Sequence, residues 1–275
     1  MMFSSKNFSF PLGEKTYIMG ILNVTNDSFF DGGLYNTPAK ALEHAKAMIM
    51  EGADIIDIGA QSTRPGCTKL SVDEELSIIK EYLPMLYNKT GAVISVDTFY
   101  PEVAEYALQN GASIINDVSG YVNEQMAKLV AEYSCGWVVM HTGGGDAQNV
   151  PKYERTVTED VASFFNYVLK ICEEHSIGKN QIMLDIGIGF GKTYEQNIEL
   201  IKNLDKLKIK NVALLTALSS KRVIGTATET DGRDRLYGTL AANVLAVKGG
   251  TDFIRVHNVK ENALAIKMAD VIIRG

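Results

Sequence analysis

Eight short, mostly apolar runs recur along the chain, and each one ends in polar residues. The clearest run opens at Gln181 and passes through Asp185 into a loop of alternate glycines at 187, 189 and 191. Runs that are apolar throughout predict parallel strands buried on both faces, because a half-exposed antiparallel strand would alternate with polar residues. The other seven runs are 17–24, 54–60, 93–98, 113–118, 137–142, 213–219 and 253–258.

Segments with helical periodicity separate these runs, so strand and helix alternate to the end of the chain. Eight such βα units predict a closed α/β barrel of the TIM type, formed as one domain by residues 1–275. A doubly wound open sheet is the alternative, but it normally carries a nucleotide-binding loop after its first strand. The chain has Asn23-Val-Thr-Asn there instead. The predicted helices cover 38–51, 72–88, 101–110, 123–133, 157–175, 195–204, 234–248 and 260–273.

Composition excludes several other classes of protein. A net charge of −6 argues against non-specific nucleic-acid binding, which needs a basic surface. The chain has no long apolar run for a membrane span, and its opening segment is too short and too polar for a secretory signal. We therefore expect a cytoplasmic protein. Three widely spaced cysteines and four histidines without a paired motif predict neither a disulfide framework nor a transition-metal site.

Polar side chains close all eight predicted strands, and the chemistry of a TIM barrel gathers at these C-terminal strand ends. A single Asn or Asp at such a position is equally well explained as a cap of the following helix. Eight strand ends together favour a shared site at one mouth of the barrel. The residues concerned are Asn23, Asp57, Asp97, Asn116, His141, Asp185, Ser219 with Lys221, and Arg255 with His257.

Two loops at the predicted mouth suit ligand binding. Residues 26–36 combine paired glycines with aromatic side chains, which favours a lid over a flat ligand, although a hydrophobic turn is the alternative. Residues 61–67 carry Arg64, whose planar guanidinium suits an anion, before a Pro-Gly turn.

The glycine loop 187–193 fails two familiar motif tests. A Walker A loop would require a glycine where Ile186 stands, and the G-x-G-x-G spacing misses the dinucleotide fingerprint. The pattern that remains indicates close approach of the backbone to a ligand beside Asp185.

Taken together, three long motifs closely resemble the dihydropteroate synthases: Met19-Gly-Ile-Leu-Asn-Val-Thr-Asn-Asp-Ser-Phe-Phe-Asp-Gly-Gly33, Gly52-Ala-Asp-Ile-Ile-Asp-Ile-Gly-Ala-Gln-Ser-Thr-Arg-Pro-Gly66 and Ile94-Ser-Val-Asp-Thr98. Four later segments agree and follow in the family's order: Ile114-Ile-Asn-Asp-Val-Ser-Gly120, Leu184-Asp-Ile-Gly-Ile-Gly-Phe-Gly-Lys192, Ser219-Ser-Lys221 and Arg255-Val-His257. The resemblance runs from residue 17 to the C-terminus. It implies a homodimeric TIM-barrel transferase that condenses dihydropterin-CH2-pyrophosphate with 4-aminobenzoate in the presence of Mg2+.

The resemblance also assigns roles to individual residues. Asp185, Asn116 and Lys221 would pair with the edge of the pterin, and Asp97 would stabilise positive charge that develops on it. The remaining assignments are Arg255 and His257 for the pyrophosphate, Asn23 for Mg2+, Thr63 and Arg64 for ordering both substrates, Phe190 and Ser219 for the aminobenzoate slot, and Val256 as a further substrate contact.

Departures from the family pattern leave room for a divergent paralogue with another acceptor, or for a non-catalytic pterin-binding protein. They include Asn26, Gln61, Ile186, Ser220 and Asn258. Side chains alternate along a barrel strand, so Ile186, Ser220 and Asn258 are predicted to face away from the ligand if Asp185, Lys221 and His257 face it. Alternation is lost beyond the strand ends, so it predicts no direction for Asn26 or Gln61.

Overall fold

Eight parallel strands close into a barrel, as the sequence predicts. The computed structural model describes residues 1–24, 37–61, 69–146 and 148–275, and for Arg233 the backbone alone. The strands are β1 Met2–Ser5, β2 Phe8–Pro11, β3 Tyr17–Asn23, β4 Ile55–Gly59, β5 Val93–Asp97, β6 Ile114–Asp117, β7 Gly136–Met140, β8 Ile182–Asp185, β9 Ala213–Thr216 and β10 Phe253–Val256. Strands β3 to β10 pair in chain order, and β10 closes the barrel on β3.

Helices follow the barrel strands around the outside. They are α1 Pro38–Glu51, α2 Val72–Thr90, α3 Pro101–Gln109, α4 Glu124–Tyr133, α5 Val157–Glu174, α6 Tyr194–Lys202, α7 Leu204–Leu207, α8 Arg222–Thr228, α9 Arg235–Lys248 and α10 Val259–Ile273. The short helices α7 and α8 were not predicted. Capping boxes at Ser71, Thr156 and Thr193 fix the starts of α2, α5 and α6. No helix in the described part of the chain is long and apolar enough to cross a membrane.

An antiparallel hairpin of β1 and β2 precedes the barrel and was also not predicted. Its aromatic rings pack against the first and last barrel strands, with the Phe10 centroid 4.8 Å from that of Tyr17 and the Phe3 centroid 5.4 Å from that of Phe253. Both partners begin their strands, so the hairpin covers the end of the barrel opposite the predicted site.

Two hydrophobic clusters separate the inward and outward side chains of the strands. The inner cluster includes Met19, Ile55, Met183 and Leu215, whereas their sequence neighbours lie in the outer cluster between sheet and helices. Because side chains alternate along a strand, the inward positions that follow the inner-cluster residues face the barrel interior near the C-terminal strand ends. These inward positions include Asn23, Asp57, Asp97, Asn116, Asp185 and Arg255.

Candidate active site at the barrel mouth

Strand register brings several predicted residues to one level of the mouth. Asn23 of β3 is opposite Gly59 of β4, Gly59 is opposite Asp97 of β5, and Asp97 is opposite Asn116 of β6. Gly59 leaves space between its neighbours, since a β-carbon built there would lie 3.4 Å from Asp97 Cβ and 3.8 Å from Asn23 Oδ1. Amide and carboxylate groups therefore line one side of the mouth.

Arg255 ties two carboxylates together across the barrel interior. Its Nε donates to Asp57 Oδ2 at 2.6 Å, and its Nη2 donates to Asp97 Oδ2 at 2.7 Å. Asn116 Nδ2 donates to the same Asp57 oxygen at 3.1 Å. Asp57, which the sequence analysis placed at a strand end without a role, is fully buried and anchors this cluster.

The charges of this cluster depend on one another. Burial raises the pKa of Asp97 well above its ordinary value, although the neighbouring Arg255 cation opposes the rise. Burial also opposes the charge of Arg255, but the carboxylates of Asp57 and Asp97 outweigh it and raise the pKa of the guanidinium. Arg255 is thus a permanent cation beside two buried carboxylates, and it opposes the rise in the pKa of Asp97.

A second charged pair, Asp185 and Lys221, lies beside the glycine loop. Asp185 Oδ1 accepts from the backbone N–H of Gly187 at 2.8 Å. Lys221 Nζ donates to the carbonyl of Ile188 and lies 4.8 Å from the centroid of the Phe190 ring. Burial raises the pKa of Asp185, opposed by Lys221, and burial lowers the pKa of Lys221 to about 8, opposed by Asp185. The pair combines an anionic acceptor with a cationic donor.

Ser219 holds the His257 ring. Ser219 Oγ accepts from the backbone N–H of His257 at 3.2 Å and lies 3.0 Å from the ring atom Nδ1. Burial and the nearby Arg255 and Lys221 cations lower the pKa of His257 to about 3, so the imidazole is neutral near pH 7. We assign the ring proton to Nε2, because the Ser219 hydroxyl hydrogen is then available to Nδ1. His257 is therefore a neutral hydrogen-bonding group and not a positive charge.

Two buried oxygen atoms of the Arg255 cluster have no hydrogen-bond donor among the described residues. They are Asp57 Oδ1 and Asn116 Oδ1. A buried acceptor without a donor is costly, and in a binding site it marks the position of a ligand N–H or an ordered water. The mouth thus presents acceptors beside the Lys221 and Arg255 cations.

A metal ion would find few protein ligands here. The described residues contain no group of three or more His, Cys, Asp or Glu side chains arranged to hold one. Asn23, which is half-buried at the end of β3, supplies a single neutral oxygen. This donor set fits Mg2+, which commonly takes one or two protein ligands and completes its shell with substrate phosphates and water.

Some sequence predictions fall outside the described residues. Thr63, Arg64 and Asn26 belong to this group, as does the lid predicted for residues 26–36. Their assignments stay predictions.

Two predicted residues have side chains directed elsewhere. His141 is buried on the helix side of the barrel, where Nε2 lies 2.8 Å from Asp160 Oδ1 on α5, so the expectation that it faces the mouth is wrong. It follows β7 at an outward position, one residue beyond the inward Met140. Val256 is fully buried in the outer cluster, which leaves only its backbone for the expected contact with substrate.

Gln61 departs from the family's glutamate but makes a well-matched set of contacts. Its Oε1 accepts from the N–H of Leu70 at 3.0 Å, while Nε2 donates to Glu75 Oε2 at 2.6 Å. Glu75 is fully buried, and this burial raises the pKa of its carboxyl group. An amide donates to a buried carboxylate, which a second carboxylate cannot do without binding a proton. The glutamine is explained by structure and does not indicate a lost catalytic group.

The predicted alternation of side chains holds for Ile186 but does not apply to Ser220. Ile186 is fully buried in the outer cluster, as predicted from the inward direction of Asp185. The prediction for Ser220 assumed a strand up to residue 219, whereas β9 ends at Thr216 and Ser220 has a left-handed φ of 55°. That premise was wrong. The Ser220 carbonyl accepts from Arg235 Nη1 at 3.1 Å, so an arginine of α9 supports this turn.

Asn258 marks the start of α10. Its carbonyl oxygen accepts from the Asn262 side chain at 2.7 Å. The Asn258 side chain makes no cap hydrogen bond, so the structure does not explain the choice of asparagine here.

Three residues near the site received no functional role from the sequence. Asp57 could have been found from its inward position on β4. Met140 is opposite Asp185 in the register, and it could have been found from its position one residue before His141. Lys192 was dismissed together with the failed Walker A motif, although it is almost completely buried.

A closed barrel with buried acceptors and cations at its C-terminal mouth belongs to the class of TIM-barrel enzymes that bind small molecules. The model of the pterin binding enzyme family matches residues 19–257. The dihydropteroate synthase of Clostridium beijerinckii is 40% identical, with all of both chains covered, and that of Bacillus subtilis is 41% identical over 94% of this chain and 90% of the relative. The chain belongs to the pterin-binding enzyme family and, within it, to the dihydropteroate synthases.

Solved structures agree with this assignment. The dihydropteroate synthase of Clostridium difficile, crystallised in the presence of pteroic acid, has a TM-score of 0.90 at 40% identity, with 97% of this chain and all of that chain covered. The enzyme of Yersinia pestis in complex with a sulfonamide drug has a TM-score of 0.92 at 33% identity, with 99% of both chains covered.

Proposed function

We propose that the chain condenses dihydropterin-CH2-pyrophosphate with 4-aminobenzoate to give 7,8-dihydropteroate and pyrophosphate. The observation that carries this proposal is the set of buried acceptors at the mouth, Asp57 Oδ1 and Asn116 Oδ1, beside the Asp185 carboxylate and the Lys221 ammonium group. A pterin carries N–H donors along one edge and a ring oxygen and nitrogen that accept. Acceptors and a cationic donor that complement these groups lie together at the barrel mouth.

The pterin edge pairs with residues on three sides of the mouth. Asp185 accepts two N–H donors of the amidine group, and Asn116 accepts a further ring N–H. Lys221 donates to the pterin oxygen or ring nitrogen after exchanging its contact with the Ile188 carbonyl. Burial makes these charge-assisted hydrogen bonds stronger than they would be in water.

The reaction breaks the bond between the methylene carbon and the pyrophosphate oxygen, and it forms a bond from that carbon to the arylamine nitrogen. The electron pair leaves with pyrophosphate, and the arylamine releases its proton after attack. Asp97 stabilises the positive charge that develops on the pterin, since its carboxylate lies at the same level of the mouth as Asn116. No covalent enzyme intermediate is required.

The leaving group meets the other end of the site. Arg255 contributes a fixed positive charge, His257 contributes its Nε2–H, and the first N–H groups of α10 point toward the same region. Asn23 would hold Mg2+, and the bound ion would supply additional neutralisation of pyrophosphate. Phe190 and Ser219 border the space for 4-aminobenzoate.

Turnover of the two substrates with Mg2+ tests the proposed function. We expect dihydropteroate, measured by chromatography, and pyrophosphate, measured enzymatically, to appear in equal amounts. Omitting 4-aminobenzoate should abolish dihydropteroate formation. Pterin binding without any product would favour the non-catalytic pterin-binding protein, whereas product with a different amine alone would favour a divergent paralogue.

Removal of Mg2+ should separate binding from catalysis. Excess EDTA is expected to abolish turnover but to leave binding of a pterin without phosphate unchanged, because Mg2+ is assigned to Asn23 and the pyrophosphate. Isothermal calorimetry with such a pterin, with and without EDTA, measures the second quantity. An equal loss of both would contradict the assignment of the ion to the pyrophosphate end.

A homodimer is part of the proposal. One face of α10 exposes large apolar side chains at helical spacing, at Leu264, Met268, Val271 and Ile272, and Leu245 of the neighbouring α9 is exposed as well. We expect sedimentation at micromolar concentration to give a dimer that Met268→Glu converts to monomer. Tyr167→Glu, at an exposed apolar residue of α5, is the matched control and should leave the dimer intact.

A further inference from the structure

Lys192 is a buried lysine whose ammonium group is fully hydrogen-bonded by the backbone. The residue is 2% exposed, and its Nζ donates to the carbonyl oxygens of His141 at 3.0 Å, Gly187 at 2.9 Å and Phe190 at 2.9 Å. An ammonium group has three N–H donors, so all of them are used. One acceptor follows β7 and two belong to the loop after β8, so Lys192 joins two separate segments.

The two segments lie in direct backbone contact. A β-carbon at Gly187 would lie 1.9 Å from the His141 carbonyl oxygen, and one at Gly191 would lie 2.0 Å from the Thr142 carbonyl oxygen. Both glycines also have positive φ, at 65° and 58°. Three carbonyl oxygens therefore converge around one point and would repel one another without a cation between them.

The loop held by Lys192 supports both members of the second charged pair. The Gly187 N–H donates to Asp185, the Ile188 carbonyl accepts from Lys221, and the Phe190 ring lies beneath the Lys221 ammonium. Lys192 touches neither Asp185 nor Lys221 directly in these contacts. Its effect on them passes through the loop and through its charge.

We propose that Lys192 is a positioning residue of the pterin site, whose ammonium group fixes loop 187–191 against the end of β7 and thereby orients Asp185 and Lys221. The inference rests on the proposed function, because its readouts are pterin binding and dihydropteroate formation. In this role Lys192 acts through the loop, and it neither binds a nucleotide phosphate nor contacts the substrate directly.

The charge of Lys192 adds an effect on pH dependence. The ionisable groups around it are Asp185 on β8, Lys221 before α8, Asp160 on α5 and His141 after β7. Burial lowers the pKa of Lys192 to about 7, opposed by Asp185, while the three carbonyl acceptors favour the charged form. Lys192 in turn lowers the pKa of Asp185, after the larger effects of Lys221, Gly187 and Arg255. Its removal should therefore raise the pKa of Asp185.

Lys192→Met tests the inference because it keeps the length of the side chain and removes the donors and the charge. We expect kcat/KM for the pterin substrate to fall by about 10–100-fold, the effect of displacing catalytic groups by about 1 Å. Asp185 acts as an ionised acceptor, so the acidic limb of the pH profile should move to higher pH. Calorimetry should show weaker binding of a pterin without phosphate.

Lys208→Met provides the matched control. Lys208 is another largely buried lysine, paired with Asp252 at the opposite end of the barrel. We expect this variant to lose stability but to keep the wild-type kinetic constants and pH profile. A shift of the acidic limb in the Lys192 variant alone separates positioning from a general loss of stability.

Several results would overturn the inference. If the wild-type enzyme turns over, a folded Lys192→Met variant would refute the inference when its kcat/KM is within about twofold of wild type and its acidic limb is unshifted. If the Met variant does not fold, Lys192→Arg should retain the acidic limb and Lys192→Gln should shift it. Failure of all three variants to fold would reduce Lys192 to a structural residue. Absence of turnover in the wild type would instead refute the proposed function.

Discussion

Asp185→Asn should weaken the binding of dihydropterin by roughly 10–150-fold, equivalent to about 1.5–3 kcal/mol for the loss of a charge-assisted hydrogen bond. The substitution keeps the shape of the side chain and one acceptor for the Gly187 N–H. Its second atom becomes an N–H2 group that faces an N–H donor of the pterin. Lys221 also loses its anionic partner, so the pKa of its ammonium group falls below the wild-type value of about 8.

Calorimetry with a pterin that lacks phosphate isolates this effect from the leaving group. Asp252→Asn is the matched control, since Asp252 is an equally buried carboxylate that accepts from the Leu214 N–H and from Lys208 at the far end of the barrel. We expect the control to lower stability without changing pterin affinity. Wild-type affinity in Asp185→Asn would remove this carboxylate from the pterin edge.

The barrel could be predicted because burial on both faces produces uninterrupted apolar runs, and the direction of Asp185 because side chains alternate along a strand. The same physics correctly placed Ile186 against the helices. It failed for Ser220, because the chain turns into a left-handed conformation after Thr216 and the alternation no longer applies.

Other features depend on contacts that are remote in sequence. The hairpin was missed because each strand has only four residues, and its aromatic rings are buried by partners such as Tyr17 and Phe253. The outward direction of His141 becomes clear only once Asp160 of α5 lies beside it. The role of Lys192 could not be predicted from a motif, because its three partners are backbone carbonyls, which every residue carries.

The largest effect on stability is expected at Arg255. Arg255→Met should lower the free energy of unfolding by about 3–5 kcal/mol at pH 8, the usual result of removing one partner of a buried ion pair. It leaves the carboxylates of Asp57 and Asp97 buried without their cation. Turnover should fall as well, because loss of Arg255 raises the pKa of Asp97 further and the pyrophosphate loses a fixed positive charge.

The loss should depend on pH in a defined direction. Burial already raises the pKa of Asp97 in the folded protein, and removal of Arg255 raises it further. The Arg255→Met variant therefore keeps its stability at low pH, where Asp97 is protonated, and loses it as pH rises through this folded-state pKa. Urea unfolding of Arg255→Met at pH 6 and pH 8.5 should therefore show the smaller deficit at pH 6. Asp57→Asn in the same chain should recover part of the stability at pH 8.5 without restoring turnover.

Arg274→Met is the matched control for this experiment. Arg274 is similarly buried and pairs with Asp270 at 2.8 Å, but Asp270 also accepts from the Thr16 N–H and hydroxyl at 2.7 and 2.8 Å. Because its carboxylate keeps these donors, we expect a smaller and less pH-dependent loss, with unchanged kcat/KM. An Arg255→Met deficit that is equal at both pH values would show that the charge of Asp97 does not depend on Arg255, and the electrostatic link between these two residues would then be wrong.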